Sequence, residues 1–386
     1  MNSIHHYGTF DVDNYGDLLF PKIIEWRLRD YEIQHISPTK GKSCFSDSSY
    51  SSNLSTKEPI ATFTGGGNIF RFNRTPLDIY SKCSGSAYPS LVIDPCISAR
   101  TKGVPYIINS PSIAKREMTL FEKIVFSRVI ATADYISFRD QKSMDFTSRI
   151  TKKSIHLVPD TAFDISRMWP HLKSDQNHVS PYAVFHVNSR YGGAPEKVAD
   201  AIKDFISSSG LKVVFLPIGP CHGDYDYAKK ISSLVGHEAE IFDDFKLKGF
   251  AEKIANSALY VGSSMHGFIT AASYGVPCGL VLKKGYMNKF EGVLEALEMG
   301  DNVIVHSWND IIPLAKAVAP PDKKALSDIF DRLDKHWRNI EICLSSSTKS
   351  EELSFPLEHF LIKISQIITR AEKFTRKLYK IMRIHR

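Results

Sequence analysis

The stretch YVGSSMHGFITAASYGVPCGLVL, residues Tyr260–Leu282, decides the fold of this chain. It contains a buried strand, a Ser/Gly turn that carries His266, a helix of small residues, a Gly-Val-Pro turn and a second buried strand. His266 would lie just past the carboxyl end of the first strand, where open α/β sheets bind their ligands. Because the N-terminus of the following helix presents free N–H groups, the segment predicts a site for a small anion beside a titratable group.

Strand-length apolar runs alternate with helix-length segments along almost the whole chain. Strands are predicted at Ile4–Phe10, Ile33–Ile36, Ile60–Thr64, Pro105–Asn109, Tyr135–Phe138, Ile155–Val158, Tyr182–Val187, Leu211–Leu216, Glu240–Phe242 and Val303–His306. Helices are predicted at Leu18–Arg29, Met118–Ala133, Gln141–Arg149, Pro195–Ser208, Asp224–Val235, Leu247–Ser257 and Trp308–Val318. This alternation indicates the α/β class, with parallel sheets covered by helices on both faces.

The alternation falls into two blocks, which indicate two Rossmann-like domains facing a cleft. Residues 166–180 have little apolar periodicity and are predicted to be the boundary between them. The predicted units are residues 1–168, expected on the acceptor side, residues 180–318, expected on the donor side, and C-terminal helices over 319–386. The Ser-rich segment 40–57 is predicted to be a surface loop.

The composition is that of an ordinary globular protein with a real core, since 43% of the 386 residues are hydrophobic and 24% are charged. The six cysteines are widely spaced and form no CxxC pair, which argues against a zinc knuckle or redox motif and favours a reducing cytoplasm. The N-terminus lacks the basic and apolar regions of a secretory signal. No apolar stretch reaches the ~20 residues that span a bilayer.

The basic charge of the chain is concentrated at its C-terminus. Residues 370–386 contain seven Lys or Arg and one acid, so they carry +6 of the net +7. The nearly neutral remainder argues against a nucleic-acid partner. Apolar residues at three-and-four spacing over 357–381 predict an amphipathic helix, and its basic polar face is typical of a helix on an anionic membrane surface. The same pattern suits a solvated terminus, and both interpretations stay open.

Glycine and polar residues follow the predicted strands of the first domain. Gly65, Gly66 and Gly67, followed by Asn68, come after the third strand, where glycines let backbone N–H groups approach a ligand. Asn14 and Asp17 lie between the first strand and the first helix, and Asp17 either caps that helix or faces the cleft. No GxGxxG or Walker lysine accompanies them.

Charged residues follow several other predicted strands. Arg139 and Asp160 come after two strands of the first domain, and Arg190 follows the first strand of the second. Arg190, beside two glycines, suits bidentate recognition of a phosphate or carboxylate. Lys283 and Lys289 follow the second strand of the opening segment and could contact a phosphate.

His266 is the strongest candidate for chemistry. Its small neighbours would keep a cavity open around it, and its ordinary pKa near 6.5 suits a general acid or base. No second His or carboxylate lies at ligand spacing, so no metal site is predicted. HExxH and GxSxG are absent, which argues against a zinc protease and an α/β-hydrolase serine.

These positions together resemble the polysaccharide pyruvyltransferase family over roughly residues 4–300. The resemblance lies in the order of short motifs. They are Asn14–Asp17, Gly65–Gly67, Gly103–Ser112, Ser137-x-Arg139-Asp140-x-x-Ser143, Pro159-Asp160, the histidine segment with Ala271–Pro277, and Tyr286-x-x-Lys289. The family implies a glycosyltransferase-B-like architecture and transfer of pyruvate from phosphoenolpyruvate onto a sugar diol as a cyclic ketal. It implies phosphoenolpyruvate as a co-substrate and no cofactor.

Carried over residue by residue, His266 resembles the family's catalytic histidine, Arg190 its donor-binding arginine and Lys289 the basic residue after the last strand. Asp17 and Asp160 are assigned to catalysis with His266. Ser264 and Lys283 join the donor side, and Asn14, Gly65, Gly66, Gly67, Asn68 and Arg139 are assigned to the acceptor side and the cleft. The family commonly has Arg-Leu-His where this chain has Ser264-Met265-His266, so Lys283, Lys284 or Arg139 would have to supply the missing cation.

Three functions are compatible with these residues. The leading hypothesis is pyruvyl transfer to a sugar of a cell-surface polysaccharide or its lipid-linked precursor, in the cytoplasm or on the inner face of the membrane. The second is a glycosyltransferase with the B-type fold that uses a nucleotide-sugar or another activated donor. The third is a non-catalytic glycan-binding member of the family. No oligomeric state is predicted.

Overall fold

A computed structural model describes residues 2–53, 55–72, 78–83, 85–113, 117–174, 181–286, 289–345 and 357–367. These residues form two parallel β-sheets with helices on both faces. The strands of the first sheet are β1 (Ser3–Tyr7), β2 (Glu32–Ile36), β3 (Ser51–Ser52), β4 (Pro59–Gly65), β5 (Tyr106–Asn109), β6 (Tyr135–Phe138) and β7 (His156–Leu157). Their order across the sheet is β3-β2-β1-β4-β5-β6-β7. The helices between them are α1 (Tyr15–Arg27), α2 (Ala87–Lys102), α3 (Leu120–Thr132), α4 (Gln141–Ser148) and α5 (Ile165–Met168).

The second sheet has the order β10-β9-β8-β11-β12-β13. Its strands are β8 (Tyr182–His186), β9 (Lys212–Phe215), β10 (Ala239–Ile241), β11 (Leu259–Gly262), β12 (Cys278–Val281) and β13 (Ile304–Val305). Its helices are α6 (Ser189–Gly192), α7 (Pro195–Ser209), α8 (Asp224–Val235), α9 (Leu247–Ala255), α10 (Met265–Ser273), α11 (Glu291–Ala296) and α12 (Ile311–Ala317), and a long helix, α13 (Lys323–Leu344), follows. All pairings within both sheets are parallel, as predicted.

The start of α1 differs from the sequence prediction. The helix begins at Tyr15 rather than Leu18, because the Asn14 side chain accepts hydrogen bonds from the N–H groups of Gly16 and Asp17. Asn14 is therefore the N-cap. Asp17 does not cap the helix, and its carboxylate is left for the cleft.

Helix α2 was not predicted, because it contains two prolines and shows little apolar periodicity. Pro95 has no N–H to donate to the carbonyl of Leu91, four residues earlier. The hydroxyl of Thr64 on β4 donates to that carbonyl at 3.0 Å, and Thr62 donates to the carbonyl of Pro95 at 2.9 Å. The sheet thus replaces the hydrogen bond that the proline removes, and the helix continues.

The segment 40–57 is not simply a surface loop. Phe45 is fully buried between the domains against Phe245 and Phe250. The carboxylate of Asp47 accepts from the N–H of Leu247 at the start of α9 at 2.6 Å. The prediction of a surface loop was therefore wrong for the middle of the segment, which joins the first domain to the second.

The end of the described chain returns to the first domain. Helix α13 contacts β6, and residues 357–367 form a further helix that packs near α2 and α3. In this helix Glu358 is buried and accepts from Arg100 at 2.9 Å and Arg128 at 2.7 Å. Leu357 and Ile367 are exposed. The basic residues of 370–386 lie outside the described residues.

None of the helices described here is long and apolar enough to cross a membrane.

Candidate active site

A cavity of about 230 Å³ lies between the carboxyl ends of the strands of the two sheets. Both domains contribute to its wall, as expected for ligand sites in open α/β sheets. The residues that line it are Asn14, Asp17, Gly67, Asn68, Arg139, His186, Asn188, Arg190, Tyr191, Ile218, Gly219, His222, Asp224, Ser263, Ser264, Met265, His266 and Lys289.

His266 is held at the domain interface in the first turn of α10. Ser264 is the N-cap of this helix, and its hydroxyl accepts from the N–H of Gly267 at 3.3 Å. The His266 ring contacts Phe20 edge-on, with 5.3 Å between ring centroids. It also lies directly against Gly16, where an added Cβ would come within 1.9 Å of Nδ1. The first domain thus fixes the position of a histidine that belongs to the second.

Asp160 lies behind His266. Its Oδ2 is 3.7 Å from His266 Nε2, and that nitrogen is buried without a hydrogen-bond partner among the described residues. Arg139 donates from Nη1 to the same carboxylate and from Nε to the Ser112 hydroxyl at 2.7 Å. Burial alone would raise the pKa of Asp160, but the charge of Arg139, followed by His266, holds it well below its usual range. Asp160 is therefore an anion that can orient the imidazole.

Asp17 faces His266 from the first domain. Its Oδ1 accepts from the Thr9 hydroxyl at 3.0 Å. Burial raises the pKa of Asp17, and the nearby charges of His266 and Arg139 and the Thr9 hydrogen bond oppose the rise. The two carboxylates near His266 thus differ, because the pKa of Asp160 is lowered and that of Asp17 is raised.

Two cations at the cavity make no ion pair with any residue of the described part of the chain. Arg190 is an exposed residue of the short helix α6, where Asn188 caps its N–H at 2.9 Å. Lys289 is exposed as a residue, but its ammonium lies over the rings of Tyr191 and Phe290, at 5.6 and 4.7 Å from their centroids. Desolvation, aided by the charges of Arg139 and Arg190, lowers the pKa of Lys289 to about 8. An anion at this end of the cavity would be drawn to both.

A buried polar network that the sequence analysis missed forms the floor of the cavity. The Asp224 carboxylate accepts from His186 Nε2 at 2.8 Å, from the Gly219 N–H at 2.8 Å and from the Asn188 amide. Ser263 is hydrogen-bonded to His186 Nδ1 at 3.3 Å. His186 ends β8, Asn188 and Ser263 come just after β8 and β11, and Asp224 begins the helix after β9, so the strand-end rule that selected Arg190 could have found them.

His222 is another cavity residue that the sequence analysis missed. It ends a short 3₁₀ helix, Pro220–His222, in the loop between β9 and α8. Its Nδ1 is buried without a partner among the described residues. In the sequence it stands in a Gly- and Pro-rich loop with no recognisable motif, and its position after a strand is the signal that could have found it.

Some predicted site residues lie away from the cavity. Gly65 packs against Asn109, and Gly66, with φ +75°, packs against the Phe20 ring, so both shape the turn that presents Gly67. Lys283 is exposed on the surface and does not line the cavity. Of these two candidates for the cation missing at position 264, Arg139 lines the wall of the cavity and Lys283 does not.

No cluster of three or more His, Cys, Asp or Glu residues that could hold a metal ion occurs in the described part of the chain.

Several solved structures share this fold at low sequence identity. S. aureus MnaA bound to UDP has a TM-score of 0.52 and 13% identity, covering 91% of this chain and 100% of the other. The UDP-GlcNAc 2-epimerase of Methanocaldococcus jannaschii in complex with UDP-GlcNAc and UDP has a TM-score of 0.52 and 14% identity, covering 87% and 100%. Anabaena Alr3699/HepE in complex with UDP and glucose has a TM-score of 0.50 and 14% identity, covering 90% and 100%. At these identities the likeness shows the fold alone, and it confirms the predicted glycosyltransferase-B-like arrangement.

No curated protein sequence matches the chain. A family model does match it: the model for polysaccharide pyruvyl transferase covers residues 14–281, more than two thirds of the chain. The match spans the Asn14 turn, the glycine turn, His266 and the strands from β2 to β12. The chain belongs to the polysaccharide pyruvyl transferase family.

Proposed function

We propose that this protein transfers pyruvate from phosphoenolpyruvate onto two hydroxyls of a sugar, forming a cyclic ketal. One observation carries the proposal. His266, backed at 3.7 Å by the Asp160 carboxylate, faces a cavity that also holds Arg190 and Lys289, two cations with no ion pair among the described residues. A proton-transfer group beside an anion site is what a reaction of phosphoenolpyruvate requires.

The donor would occupy the side of the cavity formed by the second domain. Phosphoenolpyruvate carries a phosphate and a carboxylate, and the Arg190 guanidinium suits bidentate binding of either group. Lys289 adds a second positive charge. The N-terminus of α10, which begins at Met265 after the N-cap Ser264, would offer its first N–H groups to an anion. Ser264 carries no charge, so it would contribute by capping the N-terminus of α10 and not by supplying a positive charge.

The reaction needs proton transfers, and the site is built to supply them. Addition of the first sugar hydroxyl forms a bond to C2 of phosphoenolpyruvate and places a proton on C3, giving a methyl group. The second hydroxyl then bonds to C2 as the C2–O bond to phosphate breaks, and its proton leaves with hydrogen phosphate. With Nε2–H directed at Asp160, His266 would keep Nδ1 free to take and return a proton. General acid–base catalysis of this kind supplies about 10²–10⁴-fold, and positioning between the domains supplies much of the rest.

The acceptor would lie against the first domain. Asn14, Asp17, Gly67 and Asn68 form this wall of the cavity, and their amides and carboxylate suit sugar hydroxyls. The family model supports a polysaccharide or its precursor as the acceptor class. The acceptor would therefore be a sugar of a cell-surface polysaccharide or of its lipid-linked precursor.

The charged groups of the cavity favour phosphoenolpyruvate over a nucleotide-sugar as the donor. Arg190 and Lys289 suit its phosphate and carboxylate. The matching family model is that of polysaccharide pyruvyl transferase. The UDP complexes among the similar structures bear on the fold only.

Phosphate release tests the proposed reaction. Purified protein with phosphoenolpyruvate and candidate glycans should release phosphate, and a His266→Ala variant should lose about 10²–10⁴-fold of that rate. His237→Ala, which changes an exposed histidine in a turn after α8, is the matched control and should be unaffected. Absence of phosphate release with every plausible acceptor, or full activity of the His266→Ala variant, would contradict the proposal.

We also propose a cytoplasmic location with contact to the inner face of the membrane. All six cysteines are free, which suits a reducing compartment. The seven Lys or Arg residues of 370–386 suit an anionic lipid surface. Deleting residues 370–386 should move the protein from the membrane to the soluble fraction while sparing turnover on soluble acceptors. Unchanged fractionation would show that the tail is not an anchor.

A further inference from the structure

His222 lies at the seam between the two domains, on a loop that the first domain holds in place. The N–H of Tyr15, the first residue of α1, donates to the carbonyl of Ile218 at 2.8 Å. The N–H of Cys221 donates to the carbonyl of Asp13 at 3.2 Å. These two backbone bonds join the His222 loop to the turn that carries Asn14 and Asp17, the acceptor side of the proposed site.

Gly219 allows three polar side chains to converge beside this loop. A Cβ at Gly219 would come within 3.0 Å of Asp224 Oδ2, 3.1 Å of His222 Cδ2 and 3.2 Å of Asn14 Nδ2. The His222 ring therefore approaches the Asn14 amide of the acceptor wall and the Asp224 carboxylate of the cavity floor. It lines the same cavity as His266.

Nδ1 of His222 is buried and makes no hydrogen bond with the described residues. Such a buried and unpartnered nitrogen is uncommon unless a ligand or water satisfies it. His186, on the same cavity wall, shows the contrast, because both of its ring nitrogens are engaged by Asp224 and Ser263. The protein thus holds both nitrogens of His186, whereas it leaves Nδ1 of His222 without a partner among the described residues.

Charged groups face His222 from four elements. They are Asp17 on α1, Arg190 on α6, Asp224 on α8 and Lys289 in the loop before α11. Burial lowers the pKa of His222 from its usual value; Arg190 and Lys289 lower it further, while Asp224 and Asp17 oppose the shift. A neutral imidazole at pH 7 can accept a proton, which is the state that a general base needs.

The chemistry of ketal formation leaves a task for a second base. Two hydroxyl protons must be removed, and only the first ends on C3. We propose that His222 is a second catalytic residue, which accepts the proton of the second sugar hydroxyl as that oxygen bonds to C2. The C2–O bond to phosphate breaks in the same step, and the proton passes from His222 to the leaving phosphate, which departs as hydrogen phosphate. His266 serves the first hydroxyl and C3. This inference rests on the proposed function.

The test compares His222→Gln with the surface control His237→Gln in phosphate-release assays. We expect kcat of the His222→Gln variant to fall about 10²-fold or more. Donor binding, measured as the increase in melting temperature with phosphoenolpyruvate, should stay within threefold of the control in apparent Kd. A base must be neutral, so the wild-type rate falls at low pH. In a plot of log kcat against pH, the slope at low pH should be smaller by one unit in the His222→Gln variant, because one base fewer has to be neutral.

Each outcome decides between the proposals. Wild-type protein that releases no phosphate overturns the proposed function and this inference with it. Active wild type together with a His222→Gln variant within threefold of the control overturns the inference alone. A large loss with an unchanged slope at low pH also overturns it, because it indicates a structural role. If His222→Gln does not fold, His222→Asn is measured in its place, since its amide nitrogen can occupy the position of Nδ1.

Discussion

Two buried aspartates one turn apart, Asp160 and Asp164, show how the same residue type serves different purposes in this molecule. The Asp164 carboxylate accepts from Arg27 Nε and Nη2 at 2.8 and 2.7 Å, from Arg167 and from Trp337 Nε1 at 3.1 Å. The Asp160 carboxylate accepts from Arg139 and from the Ala162 N–H at 2.9 Å. Its remaining neighbour, His266 Nε2, stays at 3.7 Å without a hydrogen bond.

The two carboxylates differ in how many hydrogen-bond donors surround them. Each oxygen of the Asp164 carboxylate accepts from at least two donors, so this cluster ties α1, α5 and α13 together. Asp160 leaves room for one more donor, and the histidine that could fill it also faces the cavity. Catalytic hydrogen bonds are often long before a substrate binds. Asp160, whose carboxylate can accept a further hydrogen bond, thus belongs to the proposed reaction site. Asp164, whose carboxylate is fully occupied, stabilises the fold around that site.

Asp160→Asn should have the largest effect on activity. The amide can no longer hold Nε2–H of His266 as an anion does, and kcat should fall by about 10²–10⁴-fold. Rates measured per folded protein, well below the melting temperature, check this. A rate within threefold of wild type would mean that Asp160 only supports Arg139.

Asp164→Asn should lower the free energy of unfolding and leave the catalytic rate nearly unchanged. Removing one charge of a buried ion-pair cluster costs up to about 3–5 kcal/mol. Arg27 and Arg167 lose their buried partner and keep only Asp334, which pairs with both and is 41% exposed. Urea unfolding should show this loss, while kcat per folded molecule stays near wild type. If Asp164→Asn instead lost its rate and kept its stability, the contrast between the two aspartates would be wrong.

The sequence predicted the elements that place these residues but not the contacts that distinguish them. Alternating apolar runs found both sheets, because buried parallel strands read as continuous apolar segments. The strand-end rule found His266, Asp160 and Arg190. It could not tell Asp160 from Asp164, since the Arg27 and Trp337 contacts come from helices more than a hundred residues away on either side.

The residues that the sequence did not reveal share a physical cause. Helix α2 depends on Thr64 to satisfy the carbonyl that Pro95 leaves free, and no local pattern records that bond. His222 is held at the cavity by backbone hydrogen bonds to the Ile218 and Asp13 carbonyls, which join its loop to the first domain. Contacts between domains are set by tertiary packing, so they are not visible in the spacing of motifs.

Gly16→Ala tests whether the first domain positions His266. Alanine suits a helix better than glycine by up to about 1 kcal/mol, so the change should not destabilise α1 by propensity. Its methyl group, however, would lie 1.9 Å from His266 Nδ1 in the present arrangement. The ring or the domain must shift, and a displacement near 1 Å can cost about 10²-fold in rate.

The control for this change is Gly41→Ala, where an added Cβ meets no atom within 4 Å. It should leave kcat and the melting temperature unchanged. If Gly16→Ala matches this control in rate, the domains do not close on His266 as described.

Lys289 should give the smallest effect, and its direction follows from its pKa. Desolvation and the charges of Arg139 and Arg190 lower that pKa to about 8, so the ammonium is charged below pH 8 and loses its charge as the pH rises through this value. KM for phosphoenolpyruvate should therefore rise above pH 8. One charged contact of about 1.5 kcal/mol corresponds to roughly tenfold in affinity, which bounds the rise. Lys289→Arg keeps its charge and should abolish the rise, whereas Lys289→Met should show the raised KM already at pH 7. A pH dependence of KM that is identical in all three proteins would place the donor away from Lys289, leaving Arg190 as its cation.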